Sequence, residues 1–416
     1  MSFTAFLRDN RRWLAAGVSL TFASSFGQTY FIALSGDSIR AEFGLSDGAW
    51  GGLYTLGTTA SAALLMMAGG LADRFRARLL AAVVLMVYAG VCVAMARVDG
   101  PVMLALVIFG LRFCGQGMMS QIAFTAMGRW FSATRGRAVA VTGFGYSLGE
   151  ALLPLLGVGA MMLLGWRGLW LVVAGLLLLL VPLLLHLLAA ERTPQQWAST
   201  SDAPGLRGRH WTRAEVRAHW MFWPIVAGTL GPSLIGTALF FQQARIAEAK
   251  AVSLTTVAAA YPVYAVATVL CSFAMGWMVD RFRAVRLLPF YQMPMAAGAL
   301  LIATGSGPWS IPAIFALFGA SQGGAQALLG SLWPELYGTR AVGAIRGMAV
   351  AAMVFATAIG PGLTGVLLDL GVGIEAQFLG FGLVQLGICA GFAAIVLRAR
   401  QSGDLGRRAG HGPTGP

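Results

Sequence analysis

The sequence is short of charge. Only 11% of its 416 residues are Asp, Glu, Lys or Arg, where soluble domains carry about 25%. So few charges cannot solvate the surface of a chain this long, and a water-soluble globular protein is excluded. Cysteine is scarce as well. Cys92, Cys114, Cys271 and Cys389 each sit inside an apolar run, without the paired spacing of a metal site or a disulfide framework, and read as small buried hydrophobes. The four histidines are scattered; His186, alone near the end of an apolar run, reads as packing. There is no H-E-x-x-H, no G-x-x-x-x-G-K-[ST] and no G-x-S-x-G. The sequence therefore gives no footing for an enzyme, and no catalytic residue, metal ligand or cofactor is expected.

What the chain has in abundance is apolar length. Hydrophobic residues make up 57% and mean hydropathy is +0.74. A helix needs roughly 20 apolar residues to cross the hydrocarbon core. Such runs lie near 13–34, 50–72, 79–97, 102–127, 138–161 and 168–190, and again near 222–244, 254–279, 286–304, 311–333, 344–368 and 376–397. The first is too long for a signal-peptide core and reads as a retained helix. The 55 glycines fit close helix packing in a membrane. The expectation is an all-α membrane protein of twelve transmembrane helices. Residues 1–190 form one six-helix bundle, 191–220 a polar linker with a short amphipathic helix near Thr212–Trp220, 221–400 a second bundle, and 401–416 a flexible tail.

The net charge of +13 comes from short arginine clusters between the runs. No basic stripe with interleaved aromatics exists, so nucleic acid is not an expected partner. Of the 29 basic residues, 23 fall on the side that holds the N-terminus, the linker and the tail; only Arg40, Arg97, Arg167, Arg245 and Lys250 fall opposite. Positive residues mark the cytoplasmic side. Both termini are thus expected in the cytoplasm, with the chain multi-pass in the inner membrane and in contact with its lipids.

The halves repeat. Residues 69–78 read G-G-L-A-D-R-F-R-A-R and 276–286 read G-W-M-V-D-R-F-R-A-V-R. Asp73 and Asp280 are 207 residues apart, and so are Pro154 and Pro361. Parallel repeats of this kind are a transporter architecture. The G-x-x-x-D-R loops resemble the signature of the major facilitator superfamily, which implies that fold and alternating-access transport of a small solute. By that resemblance Gly69, Asp73, Arg74 and Arg78, with Gly276, Asp280 and Arg281 in the second half, belong to gating loops. Each loop departs from the pattern three residues after its Asp, where Arg76 and Arg283 replace the usual glycine. The stretch L-R-F-C-G-Q-G at 111–117 resembles the family's membrane-embedded arginine. The stretch W-F-S-A-T-R-G-R-A at 130–138 resembles the monocarboxylate and oxalate–formate carriers.

Two charges lie deep in apolar sequence. Arg112 and Glu150 stand roughly 25 Å and 20 Å from the basic loop between them, at 1.5 Å per residue, so both fall near mid-membrane. An isolated charge there costs at least about 2.5–3.5 kcal/mol. The expectation is an Arg112–Glu150 pair, or both groups on a water-filled cavity, with Glu150 carrying a coupling proton. The resemblance places helices one, four, seven and ten around the cavity. That nominates Gln28, Tyr30, Gln116, Gln322 and Gln326 for solute contact, with Gln121, Gln242 and Gln243 as lesser candidates; Tyr146 joins them one turn before Glu150 on the same face. The expected function is proton-coupled movement of a small organic anion, a symporter of monocarboxylate type. The alternative is a proton-driven drug efflux antiporter.

Overall fold

The computed structural model describes residues 3–68, 71–131, 135–189, 205–307, 309–338 and 342–402. Across these the chain is helical, and twelve segments run back and forth. We number them α1–α12. After the short N-terminal helix Phe3–Asp9, α1 begins as Arg11–Ser24 and continues irregularly to Gly36–Phe43. Next come α2 (Asp47–Ala68), α3 (Ala77–Ala96) and α4, which runs from Pro101–Leu111 through a widened turn at Arg112–Met119 into Ser120–Trp130. The stretch Arg135–Leu187 holds α5 and α6, reversed at Gly165. Gly165 has φ 70° with open space around it, so glycine is required there for its backbone conformation.

The second half repeats the pattern with α7 (Phe222–Phe241), α8 (Tyr261–Phe282), α9 (Met293–Thr304), α10 (Ser310–Tyr337), α11 (Val342–Asp369) and α12 (Ile374–Gln401). Packing follows the repeat: α1 lies against α5, α2 against α4 and α3 against α6, as α7 lies against α11, α8 against α10 and α9 against α12. Two further contacts, α2 with α11 and α5 with α8, join the halves and exchange under the same two-fold relation. Seven helical stretches among the described residues are long and apolar enough to cross a membrane, one of them, Ala138–Leu187, holding both α5 and α6. The broken α1 and the Ser-, Gly- and Gln-bearing α10 are not among them, because part of their surface faces the protein interior and water.

We call the end where α6 stops and α7 begins the linker face. A capping box opens the linker helix Arg213–Ala218: the Thr212 side chain accepts from Glu215 N, and Glu215 reaches back to Thr212 N at 2.7 Å. Residues 191–204 of the expected linker, and the tail from 403, lie outside the described residues.

The two signature loops close differently, and the sequence departures explain it. Arg76 is ordinary extended backbone at φ −64°, whereas Arg283 sits at φ 75°, ψ 140°, a conformation nearly reserved for glycine. Glu335 of α10 holds it there. One carboxylate oxygen accepts from Arg283 Nε at 3.1 Å and the other from the Ala284 backbone N–H at 2.7 Å. Gly69 lies outside the described residues, as do the side chains of Asp73, Arg74 and Asp280. Arg78 and Arg281 are exposed at the linker face. Gly276 has open space around it.

This loop yields a stability comparison. Arg283→Ala and Arg283→Gly both lose the bond to Glu335, but only the first keeps a Cβ at positive φ. The glycine variant is expected to be the more stable of the two by about 1–3 kcal/mol, read as the difference in thermal unfolding in detergent.

Candidate functional site

A cavity of about 350 Å³ opens between the halves, within the range of small-molecule sites. Its N-half wall is Gln28, Thr29 and Tyr30 of α1, Gln116 of α4 and Glu150 of α5. The opposite wall is wider. Thr229, Ser233, Thr237 and Phe240 come from α7, Tyr264 from α8, Tyr291 from the turn before α9 and Met295 from its start. Phe318, Gln322, Gln326 and Trp333 come from α10, and Arg346, Met353 and Thr357 from α11. Trp333 and Arg346 lie toward the ends of α10 and α11 at the linker face, so the cavity runs from mid-bundle to that face.

The opposite end is shut by bonds between the halves. Asp47 accepts from Arg245 Nε at 3.1 Å and from Nη2 at 2.7 Å. The Asp47 hydrogen bonds, with those of Glu248 behind them, raise the already high proton affinity of Arg245 further. Asp369 accepts from Ser46 Oγ at 2.6 Å and from the Gly48 N–H at 2.9 Å. Deeper in, Thr55 donates to the Ala358 carbonyl at 2.7 Å, and Trp50 stacks on Phe241. Small residues permit this closeness: a Cβ on Gly51 would meet the Pro361 backbone, and one on Gly365 the Asp47 backbone.

The structure separates the two embedded charges. Arg112 is 1% exposed and does not line the cavity. Its Nη1 donates to the Gly27 carbonyl at 3.1 Å and to Thr29 Oγ1 at 3.3 Å, and its guanidinium lies 5.4 Å from the Tyr54 ring centre. The carbonyl it takes belongs to the break in α1, where Gln28 is extended (φ −80°, ψ 154°) and interrupts the helical ladder. Arg112 is thus a clasp on a broken helix. The expected Arg112–Glu150 pair is absent, because the widened turn beginning at Arg112 sets the register of α4 so that Arg112 points to α1 and α2.

Glu150 faces the cavity instead. Among the described residues it has no ion-pair partner, and Tyr30, Tyr146, Tyr261 and Tyr264 lie within its electrostatic reach. A Cβ on the neighbouring Gly149 would strike Ser25, so that glycine lets α5 press against α1 and places Glu150 beside the break. Tyr146 lies off the wall. Its hydroxyl donates to Ser120, which pairs with Ser24 at 3.0 Å, and Ser24 accepts from Gln28 at 3.4 Å. A polar thread thereby ties α5, α4 and α1 behind the carboxylate.

Gln28, Tyr30, Gln116, Gln322 and Gln326 all line the wall. Gln121, Gln242 and Gln243 do not. Gln242 bonds Thr364, while Gln243 donates to the Tyr30 carbonyl and accepts from Tyr261, as part of the closed end. Sequence reasoning did not nominate Tyr264, Tyr291, Trp333, Arg346 or Met353. Single aromatics in apolar helices carry no signal of their own, and Arg346 read as one of many positive loop residues.

Prolines add a further feature. Pro154, Pro334 and Pro361 lack the N–H that would bond the carbonyl four residues back, which belongs to Glu150, Gly330 and Thr357. All three of these residues line the cavity. Pro232 of α7 likewise frees the Gly228 carbonyl, but Gln292 Nε2 fills that vacancy at 3.0 Å. Gln292 also donates to Tyr291 on the wall and accepts from Gln385 of α12.

The family model described as Major Facilitator Superfamily matches residues 17–245. A solved bacterial homolog of the human lysosomal transporter Spinster, inward-facing and unoccupied, superposes with TM-score 0.70 at 18% identity, over 94% of this chain and 97% of that one. The same protein, inward-facing and occupied, gives TM-score 0.71 at 16% identity, over 93% and 96%. The nucleoside transporter NupG, solved as a point mutant, gives 0.68 at 14% identity, over 92% and 99%. No curated protein sequence matches the chain.

Gln292→Leu strands the Gly228 carbonyl and removes the acceptor of Gln385, both buried. A loss of about 1–3 kcal/mol of stability is expected, seen as a lowered unfolding midpoint in detergent, with Gln292→Glu or Gln292→His recovering less than the native amide.

Proposed function

The chain belongs to the Major Facilitator Superfamily, and we propose that it exchanges protons for a small organic solute bearing a positive charge or hydrogen-bond donors. Its fold is that of a multi-pass membrane transporter and not of an enzyme. The finer reading rests on one observation: among the described residues Glu150 is the carboxylate on the cavity wall, and it stands without an ion-pair partner.

A charged carboxylate enclosed away from water is costly unless paired. When the cavity closes at the linker face, Glu150 must therefore carry either a proton or a cationic group of the solute. Two cations competing for one carboxylate make an antiport cycle. Tyrosines, Phe240, Phe318 and Trp333 supply aromatic faces that attract a cation, while the glutamines and the carbonyls freed by prolines accept its N–H groups. The Asp47–Arg245 and Asp369 bonds form the gate that opens in the other half of the cycle. By the arginine distribution the linker face is cytoplasmic, and the cycle then exports its solute from the cytoplasm across the inner membrane.

The organic-anion reading placed an arginine at the solute. Arg112 is buried against α1 and α2, so among the described residues only Arg346, near the mouth, offers a cation on the wall. The geometry thus supports the drug-type alternative over the monocarboxylate one.

The test is ethidium and labelled lactate movement in proteoliposomes under an imposed pH gradient, with wild type beside Glu150→Gln. Wild type should move ethidium against the proton gradient. The variant should lose that movement by roughly tenfold to a hundredfold, as for a lost charge-assisted bond worth about 1.5–3 kcal/mol. Lactate carried in preference to ethidium would restore the anion reading.

A further inference from the structure

A basic and aromatic patch at the linker face takes no part in the cavity or the gate. Arg213 and Arg217 lie one turn apart on the exposed side of the linker helix, while Val216 behind them is fully buried. Val216 shares a core with Phe222 of α7 and with Val396 and Ala399 of α12, so these three elements hold fixed relative positions. The end of α12 thereby brings the Arg398 guanidinium over the Trp220 ring at 4.7 Å. Trp223, although 52% exposed, is anchored by its Nε1, which donates to the Arg217 carbonyl at 2.9 Å. Leu397 beside Arg398 is also exposed.

Among the described residues Arg213, Arg217 and Arg398 have no acidic partner. The acid of the same helix cannot serve them. Glu215 is engaged by Thr212 and by Arg209, and the hydrogen bonds from Thr212 hold it below the usual carboxylate range. Stacking on Trp220 fixes the plane of Arg398 while leaving its N–H fork open, the geometry that suits a phosphate. Tryptophan prefers the depth of lipid headgroups, and the leaflet carrying anionic lipids attracts clustered arginines there.

We propose that this patch is a binding site for an anionic phospholipid of the leaflet at the linker face. Arg217 and Arg398 hold the phosphate, Arg213 adds charge, and the acyl chains run past Trp223 and Leu397. The site bridges the linker to the last helix of the second half, so the lipid fastens the linker helix to that half alone.

The experiment titrates phosphatidylglycerol into phosphatidylcholine nanodiscs holding the full chain, and reads lipid retention by native mass spectrometry. One double variant is Arg217→Gln with Arg398→Gln; the control, Arg8→Gln with Arg11→Gln, removes the same charge from exposed positions near the N-terminus. At roughly fivefold per guanidinium, the first should raise the half-saturating phosphatidylglycerol fraction about 25-fold and the control by less than threefold. Equal losses in both variants would reduce the patch to diffuse positive charge and overturn the site. So would no loss in either, or displacement of the lipid by millimolar inorganic phosphate. Unchanged unfolding midpoints in pure phosphatidylcholine establish that both variants fold.

Discussion

Within hydrocarbon no water is available to complete a backbone hydrogen bond, and this constraint governs where the bundle can be irregular. A break in the helical ladder survives only against protein or a water-filled space. The irregular positions around the cavity obey that rule. The extended Gln28 gives its neighbouring carbonyl, Gly27, to Arg112. The Gly228 carbonyl freed by Pro232 goes to Gln292. Three further proline-freed carbonyls belong to residues on the cavity wall. The outer helices α3, α6 and α12 carry apolar side chains to the lipid side, and apart from Pro182 in α6 the irregular positions named here face inward.

The same constraint sets the roles of the two embedded charges. Arg112 serves structure through one nitrogen: its Nη1 takes the Gly27 carbonyl left by the break in α1, and its guanidinium leans on Tyr54. Glu150 lies on the wall of the open cavity, a place where a carboxylate can stand without a permanent partner. A buried cation bonded to a broken helix and an acid set on a cavity wall are different solutions to one cost, and the two charges do not form a pair.

Much of the fold was legible because apolar length measures membrane thickness directly. The twelve runs, the 207-residue repeat and the reversal near residue 165 all have counterparts in the structure. The site was legible by depth and not by direction. Counting residues from the loop placed Arg112 and Glu150 at similar heights, but height says nothing about which way a side chain points. The widened turn at Arg112–Met119 shifts the register of α4 relative to a regular helix, and no residue type announces such a turn. Gln242 and Gln243 failed for a related reason, because α7 ends at Phe241 and they fall in the closed end. The glycine-to-arginine change at Arg283 was visible, but its support was not, since Glu335 lies 52 residues away in sequence.

Among the described residues the cavity wall carries one carboxylate, Glu150, and that number limits what such a cavity can achieve energetically. If one proton returns for each monovalent cation that leaves, no net charge crosses and the membrane voltage does no work on the cycle. Only the difference in proton concentration remains as a driving force. One pH unit corresponds to about 1.4 kcal/mol, enough for a tenfold solute ratio and no more. An exchanger built around Glu150 alone would therefore excel at keeping cytoplasmic levels moderately low, and it would stall where the two sides share the same pH.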